Sequence, residues 1–292
     1  MAKCFICGEE MSLYSNENYD MNSLDSYGFA SRKTPEYMHY KLMECKKCGL
    51  ISSIRTIENE EIYQKYKEAD YDSGSEADDA SKTYIEYLKK YVPDFPKRKA
   101  LDIGTGNGSY LSFLLRGGVQ QALGVEPSVA PIQKADDKIR KYIINDIFKK
   151  DSFIPAEFDM VSCFQTIEHI PDSNKLLNDI RTLLEDNGLV YIVCHNYKSI
   201  VNRILGMKSP IYDIEHLQLF SKKSIRKLLE KVGYKRITVF TLRNKYPLKY
   251  WIRLFPFPTK MKKSILRILD GTKLAEIRIG INVGNIGIIA RK

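Results

Sequence analysis

No window of the sequence approaches 18 uninterrupted apolar residues, which excludes a transmembrane helix of ordinary length. The start, Met1-Ala2-Lys3-Cys4, lacks the apolar stretch of a secretory signal, so a reducing cytoplasm is the expected compartment. No internal repeat divides the chain. Histidine is scarce: only His39, His169, His195 and His216 are present, which narrows the choice of a side chain that exchanges a proton near neutral pH. Outside one segment there is also little net charge. Between Arg243 and Lys273 nine basic residues face one acid, Asp270, which concentrates +8 of the chain's +10 there. A partner chosen by charge must meet that segment.

What is present fits one large domain and a small one. The 292 residues are 28% charged and 43% apolar, ordinary proportions for a globular protein. Residues 1–55 are bracketed by cysteines and read as a module of their own. Residues 56–99 read as a helical connector, in which Ile85, Leu88 and Val92 give one apolar stripe. Pro93, Pro96 and Lys97-Arg98-Lys99 then mark a boundary. From 100 to 292 short apolar runs alternate with amphipathic stretches. Strands are expected at 100–103, 122–125, 142–144, 158–164, 189–194, 237–242 and 282–290. Helices are expected at 109–116, 129–140, 174–185 and 221–232. This alternation implies an α/β fold, with a mostly parallel sheet and helices on both faces. The basic, aromatic stretch 243–274 interrupts the last two strands.

Four of the six cysteines form two Cys-x-x-Cys-Gly units, Cys4-Phe5-Ile6-Cys7-Gly8 and Cys45-Lys46-Lys47-Cys48-Gly49. Each presents two thiolates from a tight knuckle, and together they make the tetrahedral sulfur set that structural Zn²⁺ prefers. The 37 residues between the pairs exceed a minimal ribbon, so that loop must carry extra structure. His39 falls in it and is not needed as a ligand. Cys163 and Cys194 stand singly in apolar strands and read as buried small hydrophobes.

The sharpest motif is Asp102-Ile103-Gly104-Thr105-Gly106-Asn107-Gly108-Ser109, between a strand and a helix. Glycines there let the backbone turn and approach a ligand. Glu126 lies 20 residues past Gly106, at the end of the next strand, where a carboxylate can accept both hydroxyls of a ribose. A dinucleotide fingerprint would want Gly or Ala where Ser109 stands. The Asp-x-Gly-x-Gly-x-Gly run instead resembles motif I of class I S-adenosylmethionine (SAM)-dependent methyltransferases. Asn145-Asp146-Ile147, the strand 158–164 with Gln165, Asp186-Asn187-Gly188 and the closing 285–292 resemble further parts of that family in order. The resemblance implies a Rossmann-like sheet of seven strands in the order 3-2-1-4-5-7-6. It implies SAM as cofactor, with Asp102, Gly104, Gly106, Gly108 and Glu126 around it, Asp146 reading the adenine amino group and Gln165 beside the methionyl part.

Methyl transfer needs an aligned acceptor and, for oxygen or carbon, loss of a proton. His169, His195 and His216 all fall at expected strand ends, where open α/β sheets place their sites. Glu215-His216-Leu217-Gln218-Leu219-Phe220-Ser221 resembles bacterial deoxysugar methyltransferases, some of which carry two N-terminal cysteine pairs. Carried over, this makes His216 the base with Glu215 orienting it, His169, His195 and Tyr212 acceptor contacts, and Tyr71 a residue closing over the cofactor. The implied acceptor is a small molecule, a nucleotide-linked or lipid-linked sugar. A quinone or lipid O-methyltransferase is the alternative that shares Glu168-His169-Ile170-Pro171-Asp172. RNA methylation is a third reading, against which no Asn/Asp-Pro-Pro-Tyr run follows the fourth strand. For residues 246–273 three readings stand: a solvated lid, a basic surface for a pyrophosphate-linked substrate, or contact with a membrane surface.

Overall fold

The computed structural model describes residues 2–18, 38–54, 59–68, 76–254 and 259–292. The cysteine-bracketed region contributes strands β1 (Ser12–Ser15), β2 (Lys41–Glu44) and β3 (Ile51–Ile54). Helices α1 (Asn59–Glu68) and α2 (Glu76–Tyr91) follow. The alternating region runs β4 (Lys99–Ile103), α3 (Ser109–Arg116), β5 (Gln121–Val125), α4 (Val129–Gln133), α5 (Asp137–Arg140), β6 (Ile143–Ile144), β7 (Phe158–Phe164), α6 (Ser173–Leu183) and β8 (Leu184–His195). Then come α7 (Ile200–Leu205), β9 (Gln218–Leu219), α8 (Lys222–Val232) and β10 (Lys235–Thr241). The basic stretch forms β11 (Asn244–Pro247), α9 (Leu248–Leu254), α10 (Thr259–Leu269) and β12 (Arg278–Ile281), and β13 (Asn285–Arg291) closes the chain.

The large sheet has the order β10-β13-β8-β7-β4-β5-β6. Strands β6, β5, β4, β7 and β8 pair in parallel, and β13 runs antiparallel between β8 and β10. Counted along the sheet's own strands, this is the expected 3-2-1-4-5-7-6. Its central strands are covered on both faces, which is why β7 is buried along nearly its whole length, its two polar residues, Asp159 and Ser162, being hydrogen-bonded to the neighbouring β4. One face packs against α2 and α3 through Leu88, Tyr110, Leu111, Leu114 and Tyr191. The other packs against α6 and α8 through Leu177, Ile180, Ile225, Leu228 and Leu229. Burying each such side chain stabilises the fold by about 1.5–3 kcal/mol. Cys163 and Cys194 lie within this second core, fully buried.

Local chemistry sets the boundaries. Ser221 and Ser224 form a reciprocal capping box at the start of α8, and Gly233 ends the helix at φ 98°. The helix expected at 129–140 is broken in two. Asp136 leaves the helical region at ψ 135° and its side chain accepts the Lys138 N–H, starting a new cap. The strand expected at 282–290 is found as β13, starting at Asn285, while an additional strand before it, β12, pairs with β11 outside the main sheet. Helix α7 had no counterpart among the expected elements.

The cysteine region is joined to the rest by backbone pairing. Its sheet has the order β1-β2-β3-β9, so its fourth strand comes from residues just beyond His216. The Ser221 hydroxyl also donates to the Gly49 carbonyl at 3.0 Å, tying the second knuckle to the start of α8. No helix among the described residues is long and apolar enough to cross a membrane.

Candidate active site

The glycine loop leaves the carboxyl end of β4. Gly104, Gly106 and Gly108 hold φ values of 74°, 58° and 73°, a region that side chains with a Cβ rarely adopt. At Gly104 an added Cβ would also lie 2.2 Å from Thr166 Oγ1, so the loop and the segment after β7 are pressed together. Gly108 serves packing: a Cβ there would strike Ile139 at 2.6 Å, away from the cavity. The Glu126 carboxylate, at the end of β5, accepts the Gly106 N–H at 2.8 Å and the Ser128 N–H at 2.9 Å. Burial pushes its pKa up, and those two amides pull it back. Asp102 lies below the loop, not on the cavity wall. It accepts the Ser162 hydroxyl at 2.6 Å, and burial raises its pKa to about 7.

A cavity of about 1110 Å³ runs from this loop past Gln165 and Thr166 to His169, His195 and His216. Tyr66 and Tyr84 wall one side, and Tyr246, Tyr250 and Trp251 of the basic stretch another. Val201 and Leu205 of α7 stand at the same cavity. Gln165 has φ 49°, unusual for a residue with a side chain, and its Oε1 is buried without a partner. Such an orphaned acceptor beside the glycine loop suits a cationic ligand group. With Glu126 for ribose hydroxyls and the apolar Ile147 and Phe148 further along the wall, the residues present fit SAM.

The three imidazoles converge. Ring centroids of His169 and His216 are 4.7 Å apart, and those of His195 and His216 are 5.3 Å apart. Burial lowers the pKa of His169 and of His195 to about 4 and holds that of His216 well below its ordinary value, so all three are neutral near pH 7. The expected Glu215–His216 partnership is not the hydrogen bond observed. His169 Nδ1 lies 3.1 Å from the Glu215 carbonyl and 3.9 Å from its Oε2, so Glu215 braces His169 across the chain. His216 keeps Nδ1 buried and unpartnered.

Other expected contacts fall outside the cavity wall. Tyr212 stacks on Tyr14 and shares a 2.7 Å hydroxyl contact with it, facing the cysteine region instead of an acceptor. Asp146 sits at the rim, where its carboxylate accepts the Ile147 N–H at 2.8 Å and pairs with Lys149 at 2.7 Å. That pairing holds its pKa below the usual range. Tyr71 lies outside the described residues. Conversely, Tyr66, Asn244 and Asn285 line the cavity without having been singled out. Tyr66 sits in the tyrosine-rich connector and Asn285 in the closing strand, so the only signal for them was position.

In the cysteine-bracketed region, Cys4 Sγ lies 3.5 Å from Cys48 Sγ, and Cys7 Sγ 3.5 Å from Cys45 Sγ. All four sulfurs fall within 4.8 Å of one another. Zn–S bonds of about 2.3 Å in a tetrahedron require S···S near ~3.8 Å, whereas a disulfide needs about 2.05 Å. The set fits a tetrahedral ion. Gly8 and Gly49 take φ 72° and 74° to close the knuckles. His39 stands apart, with Nδ1 2.9 Å from the Tyr40 carbonyl.

A doubly wound sheet in this order, with a glycine turn after its first strand and a buried carboxylate after its second, defines the class I methyltransferase architecture. The methyltransferase domain family matches residues 77–239, more than half of the chain, and the chain belongs to that family. Among curated proteins it is similar to the ubiquinone biosynthesis O-methyltransferase of Histophilus somni, 25% identical over 119 residues, 37% of this chain and 50% of that protein. The Methylococcus capsulatus protein of the same name is 29% identical over 100 residues, 32% of this chain and 42% of its own. The chain thus spans about half the length of the curated relatives it matches. A SAM dependent methyltransferase from Archaeoglobus fulgidus superposes with a TM-score of 0.50 at 19% identity, covering 73% of this chain and 94% of that one. A chain of the complex between the Haloferax volcanii Trm112 methyltransferase activator and a methyltransferase gives 0.52 at 15% identity, covering 74% and 92%. At such identities the likeness is one of fold.

Proposed function

We propose that this chain transfers the methyl group of SAM to a small-molecule acceptor, a nucleotide-linked sugar or a related metabolite. The carrying observation is the single cavity that joins the glycine loop to the three histidines. Its size exceeds the common range of about 300–1,000 Å³ for one small ligand, which suits a cofactor and an acceptor end to end. SAM supplies an activated methyl group. Glu126 holds its ribose and Gln165 Oε1 takes its ammonium group, with Tyr66 and Tyr84 shielding the reacting end from water. The acceptor lies against His169, His195 and His216, one of which receives its proton. We assign the four-cysteine set to structural Zn²⁺, closed by four thiolates with no open position for catalysis.

One observation favours a lipid-borne acceptor as a second reading. Ile200 and Ile204 of α7 are 76% and 78% exposed beside the cavity, and Ile281 of β12, also exposed, lines it too. An apolar rim next to the +8 stretch suits an anionic membrane surface. Nucleic acid is less well served, since Lys245, Lys249 and Arg278 of this region are each paired with a carboxylate.

The test is mass spectrometry of acceptors incubated with enzyme and labelled SAM. One arm offers sugar nucleotides in solution, the other quinols and polyprenyl-phosphate sugars in phosphatidylglycerol vesicles. A 14-dalton gain in the first arm supports the leading reading, and a gain confined to vesicles supports the second. Failure of the protein to bind SAM at all would sink both.

A further inference from the structure

Glu168 has no role in the reading above, yet it is an ionisable side chain almost wholly enclosed at the histidine end, at 1% exposure. Its Oε1 accepts the main-chain N–H of His195 at 3.1 Å and stands 4.0 Å from His195 Nε2. Its carbonyl accepts the N–H groups of Leu217 at 2.9 Å and Gln218 at 3.1 Å. One residue therefore holds both the end of β8 and the segment that follows His216. The other carboxylate oxygen, Oε2, is buried with no partner. A bare buried oxygen of this kind costs about 1–3 kcal/mol, so its retention asks for a reason.

The neighbouring imidazole supplies one. His195 Nδ1 lies 2.8 Å from Asn285 Oδ1. The orientation of that amide is set by its own donation to Asn244 Oδ1 at 3.1 Å, and Asn244 in turn donates to the Tyr246 hydroxyl at 3.1 Å. An amide oxygen only accepts, so Nδ1 carries the hydrogen and Nε2 the lone pair. His195 is also the most open of the three histidines, its side chain 25% exposed on the cavity wall. His216 also comes within 4.8 Å of Glu168 and His195, but its Nδ1 is sealed from solvent and the residue is only 8% exposed.

We propose that His195 is the catalytic proton acceptor and Glu168 the positioning residue that steadies the imidazolium it becomes. This rests on the reading of the chain as a methyltransferase acting on a hydroxyl. In the step, the acceptor oxygen bonds to the methyl carbon as the carbon–sulfur bond breaks and its electron pair returns to sulfur. The oxygen–hydrogen bond breaks and the proton goes to His195 Nε2. Burial raises the Glu168 pKa to about 7, and the new positive charge beside it favours the carboxylate form. The other titratable groups facing the pair are His169 toward His195, His216 toward both, within 4.8 Å of each, and Cys163, Cys194 and Tyr66 toward Glu168. Burial keeps each of them in its neutral form near pH 7, so none of them competes for that charge.

The test begins without an acceptor. Long-range ¹H–¹⁵N NMR of the histidine rings, with S-adenosylhomocysteine bound, reads tautomer and titration between pH 5 and 9. His195 should be the Nδ1–H tautomer, and Glu168→Gln should lower its proton affinity at least tenfold, with Glu168→Asp restoring part. With any acceptor that the mass-spectrometric panel returns, His195→Gln should cut kcat about 10²–10⁴-fold while KM and SAM affinity stay within about threefold. The Nε2–H tautomer, an unchanged titration in Glu168→Gln, or His195→Gln turning over within threefold of wild type would each overturn the assignment. So would a metal equivalent beyond the cysteine site that disappears in Glu168→Gln. Absence of any methylated product bears on the proposed function alone, because the NMR arm still decides the pair.

Discussion

Replacing Glu126 with glutamine is expected to weaken SAM binding by about 10²–10³-fold. The carboxylate is buried, and each of its oxygens already receives one backbone N–H, from Gly106 and from Ser128. Each retains a lone pair for a ribose hydroxyl. Hydrogen bonds to a charged group are worth about 1.5–3 kcal/mol each, and two of them account for that loss. Glutamine has a further cost, because its NH₂ must face an amide N–H where an oxygen stood. With the NH₂ opposite Gly106, the glycine loop loses that bond and is held to β5 by the Gly104 and Thr105 N–H groups on the Val125 carbonyl. Calorimetric titration of the purified variant checks this. An affinity within threefold of wild type would remove Glu126 from the cofactor site, and with it the assignment of the whole cavity end.

Cys45→Ser should release the metal and melt the cysteine-bracketed sheet. The fully buried Cys45 lies opposite Cys7, and no histidine is among the four ligand-spaced residues to replace it. Structural zinc contributes about 10–16 kcal/mol to the folding of small peptide modules, and a serine hydroxyl is a poor substitute for a thiolate at such a site. Leu50, Ile6 and Met11 pack with these cysteines against the main core, so loss of the ion loosens that contact as well. We expect one zinc per chain by native mass spectrometry in the wild type and none in the variant. The melting temperature should fall by more than about 10 °C, since each kcal/mol is worth about 2–4 °C in a chain of this order. A variant that melts within about 2 °C of the parent, or a freshly reduced parent without zinc, would refute the assignment.

Much of the fold was legible because periodicity reports burial. Strands covered on both faces read as apolar runs, and β7 lies where the sequence put it. The glycine loop was legible for a similar reason: positive φ at three spaced positions leaves glycine as the residue that fits. Helix 129–140 misled because its apolar spacing continues through Asp136, whose side chain caps a new start. Helix α7 was missed because Ile200 and Ile204 point outward, so no amphipathic stripe announced a packed face. At the histidine end, the hydrogen bonds run between segments distant in sequence. Glu215 braces His169, Tyr212 turns to Tyr14, and Glu168 reaches His195, all contacts between segments that only the sheet brings together. Chain order carries no record of such pairings.

The backbone pairing of β3 with β9 has a consequence for anyone shortening this protein. The break near residue 55 looks like a seam, but β9 finds its sheet partner on the other side of it. Ser53 also gives both its N–H, at 2.9 Å, and its hydroxyl, at 3.0 Å, to the Leu217 carbonyl. A chain begun at residue 56 would strip those groups from the stretch directly after His216 and leave a raw edge facing water. Its nucleoside end, built from β4 and β5, would survive the cut. Such a fragment would be a receptor that still grips its coenzyme but has lost the hand that presents the second reactant.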